Sequence, residues 1–195
     1  MPGHNEILIR IVATAVNSGD VRLRKADPFA VRFIFGLLKP KIHILGTVFS
    51  GEVESIGEEV KQFKVGDIVF GHTDMSFGSY AEYLSLPEDA SIALKPSNIS
   101  HNEAAVIPFG GVAALHFLKK AKIQPGQKVL VVGASGSVGS AAVQLAKSFG
   151  ADVTGVCSTA NIALVKSIGA NKVIDYTKED FAGNGETYDV IFDAV

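Results

Sequence analysis

The stretch that most restricts what this chain can fold into is "KVLVVGASGSVGSAAVQLAKSFG", Lys128 to Gly150. Val129 to Val132 form an unbroken apolar run, as expected of a strand buried on both faces. Val138, Ala141, Ala142, Leu145, Ala146 and Phe149 then fall on one helical stripe, with Gly150 as a C-terminal stop. Between strand and helix lies a loop of small residues, Gly133 to Gly139. In a dinucleotide-binding loop, Gly136 lets the backbone approach a pyrophosphate and Gly139 lets helix and strand pack closely. Unpaired N–H groups at the helix start then face the anion. Ala134, Ser135, Gly136, Ser137 and Val138 are therefore the candidate cofactor-cradling residues. Ala134 breaks the strict G-x-G-x-x-G pattern by standing where its first Gly belongs, and a plain tight strand–helix turn is the rival reading.

Which dinucleotide is bound depends on the end of the next strand, where an NAD site carries Asp or Glu for the ribose 2′-hydroxyl. Asp152 has the right separation but opens that strand, which at ~3.3 Å per residue sets it roughly 16 Å from the cofactor edge. Cys157, Ser158 and Thr159 stand at the closing end instead, with two hydroxyls and no carboxylate. NADPH is the expected cofactor and NADH remains possible, because no Arg or Lys adjoins them in sequence. Cys157 itself reads as a small apolar filler rather than a reactive thiol.

The rest of the chain has two grammars. Glu6–Val16, Gly46–Gly57, Val65–Gly71 and Ser79–Pro87 are short, Gly-punctuated strands, which predict a mostly β, barrel-like domain over residues 1–98. Within it, "PFAVRFIFGLLKPK" (Pro28 to Lys41) is either a core helix or a hydrophobic flap. His101 to Ala121 reads as a helix interrupted at Pro108 and Gly110–Gly111. Alternating strands and helices then predict a partial doubly wound parallel sheet over residues 99–195, an α/β fold. A net charge of −2 argues against nucleic acid or an anionic membrane as partner. One cysteine, no membrane-length apolar run and the N-terminus "MPGHNE" fit a soluble, cytoplasmic protein.

Taken together, "GASGSVGSAAVQLAKSFGADVTGV", "LGTVFSGEVESIGEEVKQFKVGDIVFG", "VNSGD" and "FGSYAEY" resemble the medium-chain dehydrogenase/reductase superfamily, in its zinc-free quinone oxidoreductase branch. The resemblance implies a GroES-like substrate domain followed by a Rossmann domain, with cofactor bound in the cleft between them. Zinc-dependent relatives place a Cys and a His as ligands where this chain has Asn17 and Thr47, and the four-cysteine structural lobe has no counterpart. Catalysis without zinc follows, with hydride passing from NADPH to a quinone or an activated alkene of hydrophobic or aromatic character. Asn17 is the implied catalytic residue, its amide meeting the ribose or the substrate oxygen. Asp20 either orients that loop or caps the short helix after it. The resemblance sets Tyr176 near the 2′-phosphate; the alternative is an ordinary half-buried aromatic.

Three departures from the family pattern stand out. Ala160 replaces a Lys or Arg that contacts the 2′-phosphate, Ala113 replaces a Thr near the nicotinamide, and the flap offers no obvious proton donor, His43 being either that donor or a structural histidine. An alcohol dehydrogenase-like activity and a non-catalytic cofactor-binding fragment are the competing functions. The family's Rossmann sheet has six strands in the order 3-2-1-4-5-6, and four are countable here. The chain thus reads as a fragment shortened at both ends, a homo-oligomer in its full-length form, with the fourth strand as an exposed apolar edge.

Overall fold

Glu6–Thr14 is rich in Ile and Val, alternates more and less buried residues, and forms the first strand, β1, in a computed structural model that describes residues 1–195. Ile7 and Ile9 are fully buried while Arg10, between them and the next turn, reaches solvent and pairs with Glu52 at 2.5 Å. Strands β2 (Val48–Ile56), β3 (Ile68–His72), β4 (Tyr83–Pro87) and β5 (Ile92–Leu94) complete an antiparallel sheet in the order β4-β1-β2-β3-β5. Its core is Ile7, Ile9, Phe49, Val53, Val69, Leu84 and Leu86. The three-residue β5 was not expected, because so short a run shows no alternation ahead of Pro96. Two short helices follow β1: α1 (Ser18–Lys25) and α2 (Val31–Phe35). No residue of α2 is buried, and Phe33 and Ile34 are 69% and 67% exposed. The segment from Pro28 to Lys41 is therefore an exposed apolar flap and not a core helix.

Helix α3 (His101–Lys120) corrects the expected interruption, since it runs unbroken through Pro108 and Gly110. Pro108 has no N–H to give the carbonyl one turn back, a local loss that burial on either side overrides. Ala104 and Ala105 are buried near its start, and Ala114 and Leu118 near its end. The chain divides into two units, Met1–Pro108 and Phe109–Val195, so the division falls inside this helix.

The second unit is built on four parallel strands: β6 (Lys128–Val132), β7 (Asp152–Cys157), β8 (Lys172–Asp175) and β9 (Val190–Asp193). Their order β8-β7-β6-β9 is the 3-2-1-4 part of a doubly wound sheet. Helix α4 (Ser137–Ser148) follows β6, and α5 (Ile162–Ser167) follows β7. Val129, Val131, Val143 and Val153 are fully buried, each worth about 1.5–3 kcal/mol relative to exposure. The α4 residues Ala142, Val143 and Ala146 meet β6 and β7 there, which fixes the start of α4 at the carboxyl ends of the strands.

Candidate functional site

The turn from β6 into α4 departs from the expected glycine pattern by one residue. Gly133 carries the left-handed backbone, φ +73°, that the turn requires, and its carbonyl accepts from Gly136 N–H at 3.0 Å. Ala134 is consequently free to be an alanine. It is fully buried, its N–H donates to Val156 O at 3.0 Å, and its methyl lies opposite Gly155 of β7. A Cβ on Gly139 would come 2.1 Å from Gly133 O, so that glycine is what lets the helix start lie against the turn. Gly136 caps α4 in an extended conformation and no side chain caps the helix. Ser140 makes the first intrahelical bond, to Gly136 O at 2.8 Å. The N–H groups of Ser137, Val138 and Gly139 therefore have no carbonyl of their own helix to bond, and they present partial positive charge. Val138 turns its side chain onto the core and Ser137 is exposed.

A cavity of about 940 Å³ opens at this end of the sheet. Of the residues read from sequence, Ser135, Gly136, Cys157, Ser158 and Tyr176 line it, whereas Ala134, Ser137, Val138 and Thr159 do not. Asn161 also lines it and ties the glycine loop to the end of β7, its amide nitrogen 3.1 Å from Ser135 Oγ and 3.3 Å from Ser158 Oγ. Cys157 is buried; desolvation first, and the charge of Asp175 second, hold its thiol above the ordinary value. The thiol stays protonated, as suits a filler.

Parallel pairing sets Cys157 beside Asp175, the last residue of β8. Asp175 is only 6% exposed, yet its carboxylate is well satisfied. One oxygen accepts from Thr177 N at 3.0 Å and Thr177 Oγ1 at 2.7 Å, the other from Thr159 Oγ1. These bonds, Thr159's first and Thr177's second, lower its pKa. The Thr159 hydroxyl, expected to be available for a phosphate, is thus committed to a carboxylate that sequence separation had hidden. Tyr176 is 58% exposed rather than half-buried.

In the first unit, Asn17 is the cap of α1 and forms a capping box with Asp20. Asn17 Oδ1 accepts from Asp20 N at 3.1 Å, and Asp20 Oδ2 accepts from Asn17 N at 3.0 Å. The remaining side of Asn17 donates, Nδ2 to Thr47 Oγ1 at 3.0 Å. Asp20 does more than cap. It is 3% exposed and also takes Gly46 N–H at 3.2 Å and the Tyr80 hydroxyl at 2.7 Å. Burial, then the hydrogen bond and charge of Asp20, push the Tyr80 phenol far above its usual value. Both readings of Asp20 therefore hold.

Two family models match, an alcohol dehydrogenase GroES-like domain over residues 3–97 and a zinc-binding dehydrogenase over residues 137–195. A 2-methylene-furan-3-one reductase of Solanum lycopersicum is 38% identical over 98% of this chain and 50% of its own length. An NADPH-dependent alkenal/one oxidoreductase of Arabidopsis thaliana is 36% identical, again over 98% of this chain and 50% of that protein. The solved structure of a quinone oxidoreductase from Coxiella burnetii superposes with TM-score 0.88 at 33% identity, over 100% of this chain and 61% of that one. The chain belongs to the medium-chain dehydrogenase/reductase superfamily. It spans about half the length of the curated relatives it matches. An amide and a hydroxyl, bonded to each other, occupy positions 17 and 47. No helix is long and apolar enough to cross a membrane.

Asn161, Asp175, Thr177 and Lys178 line or brace the cavity and were not singled out from sequence. The signal lies in "DYTKE", Asp175 to Glu179 at the end of β8, a run of polar side chains around Tyr176. Tyr80 was missed as well, because its partner Asp20 lies 60 residues away.

Proposed function

We propose that this protein is a zinc-independent, NAD(P)H-dependent oxidoreductase that passes hydride to a quinone or an activated alkene. The observation that carries the reading is the uncapped start of α4 facing a cavity at the carboxyl ends of β6, β7 and β8. Such a site offers backbone donors to a pyrophosphate without a side chain in the way. Ser135 and Gly136, with the free N–H groups of Ser137 and Val138, hold the pyrophosphate, and Ser158 with Tyr176 hold the adenosine ribose and its 2′-phosphate. The nicotinamide supplies the hydride when bound; the protein holds the partners and excludes water. Asn17 serves as the catalytic residue, with one amide hydrogen beyond the one given to Thr47 for a ribose or substrate oxygen. Names of relatives, NADPH-dependent alkenal/one oxidoreductase among them, support this substrate class. A reducing compartment such as the cytoplasm suits the single free, buried Cys157.

The test is steady-state NADPH oxidation with a panel of small quinones and enones, run before and after prolonged chelation. Turnover with at least one acceptor, unchanged by chelation, is expected. Cofactor binding without turnover on any acceptor leaves a binding module instead. Stoichiometric zinc lost together with activity overturns the metal-free reading.

A further inference from the structure

The end of β7 lacks the cation that a 2′-phosphate needs, because residue 160 is alanine. The cavity nevertheless contains one. Lys178, three residues past the end of β8, is the only Lys or Arg among its lining residues. The Asp175 carboxylate accepts Thr177 N–H, and that turn directs residues 176–178 along the cavity wall beside Ser158.

We propose that Lys178 supplies the cation for the 2′-phosphate of NADPH from the β8 side, with Ser158 and Tyr176 completing a three-donor cradle. This inference rests on the cofactor reading above. The hydrogen-bond pattern selects those three. Thr159 and Thr177 have given their hydroxyls to Asp175, whereas the Ser158 hydroxyl only accepts, from Asn161, and keeps its own hydrogen. Lys178 Nζ stands 3.8 Å from Asp175 Oδ2, a loose pairing on a side chain 68% exposed. Its flexible stem can carry the ammonium to a dianion nearby.

Three acids stand near this cation: Asp175, Glu179 and Asp180. Asp175 turns its oxygens inward to two threonines, and Asp180 accepts the Ala182 N–H at 2.9 Å within its own turn. Glu179 lines the cavity with Lys178 and also lies in the field of Lys172, which does not line it. The arrangement gives a site that prefers NADPH but keeps NADH within reach, since the cation is tethered and not fixed by a bidentate bond.

The experiment compares 2′,5′-ADP with 5′-AMP by calorimetric titration, on the wild type and on Lys178→Met and Lys178→Arg. These fragments need only the adenosine half of the site. The wild type should prefer 2′,5′-ADP. Lys178→Met should lower its affinity roughly tenfold, as for loss of one charge-assisted bond, and leave 5′-AMP and the melting temperature unchanged. Lys178→Arg should restore the preference. An unaltered 2′,5′-ADP to 5′-AMP ratio in Lys178→Met overturns the role of Lys178 while the cofactor site stands. If the wild type binds neither fragment, the cofactor reading itself fails and this inference falls with it.

Discussion

The Asn17 amide donates to the Thr47 hydroxyl across 3.0 Å while its oxygen caps α1 through Asp20 N–H. One side chain therefore holds a helix start and an amide donor in the same place, and substitution can separate the two. Asn17→Asp keeps the cap and should stay within about 0.5 kcal/mol of wild-type stability. It replaces the donor with an acceptor, so quinone turnover should fall at least roughly tenfold, one hydrogen bond's worth. Asn17→Ala should lose both, including about 1 kcal/mol of stability. Chemical denaturation and steady-state rates on the two variants check the split.

Asp20 bonds the Gly46 N–H, the Asn17 N–H and the Tyr80 hydroxyl from a buried position. Asp20→Ala strands three donors and should cost at least about 3 kcal/mol, since each buried unsatisfied group costs about 1–3. Tyr80→Phe removes only one and should cost about half as much. Urea midpoints at constant slope decide it; equal losses would show that Tyr80 carries the whole network.

Two glycines of one loop should behave oppositely. A Cβ at Gly139 lands 2.1 Å from the Gly133 carbonyl, so Gly139→Ala should destabilise by about 1–3 kcal/mol. At Gly136 the nearest atom would be 3.4 Å away and φ is −75°, so Gly136→Ala should melt like the wild type. Its methyl instead occupies ground meant for the pyrophosphate, and cofactor affinity should drop tenfold or more. Thermal melts and cofactor titration together separate the two roles.

Asp175 titrates below the ordinary carboxylate value because Thr159 and then Thr177 hydrogen-bond its charged form. A depressed folded pKa contributes stability above the unfolded value, ~3.9, and loses it as pH falls through the folded one. The stability advantage of the wild type over Asp175→Asn should accordingly be constant from pH 7 to about 5 and shrink below about pH 4. Melting temperatures across that range measure it, and an advantage that persists unchanged at pH 2 would refute the charge-based account.

The strand, loop and helix around Lys128 to Ser148 were legible because the apolar run, the small-residue loop and the helical stripe that mark them lie within two dozen residues of sequence. The parallel order followed from the same alternation. What stayed hidden depends on neighbours brought together by the fold. Thr159 meets Asp175 only because β7 and β8 pair in parallel with Cys157 beside Asp175. Likewise Asp20 finds Gly46 and Tyr80 at separations of 26 and 60 residues. The unbroken α3 was misjudged for a related reason: Pro108 and Gly110 are local signals, and the burial that overrules them is not.

The capping box around Asn17 also makes this corner of the molecule hard to convert into a metal site. Replacing Asn17 and Thr47 with Cys and His to recruit zinc would delete the helix cap and the bond between the two segments before any metal arrived. Cysteine is a poor acceptor for the Asp20 N–H, so the intermediate sequence would carry a frayed α1 next to a carboxylate already holding Tyr80 and Gly46. Building metal ligands at positions 17 and 47 would therefore first require a new cap for the start of α1.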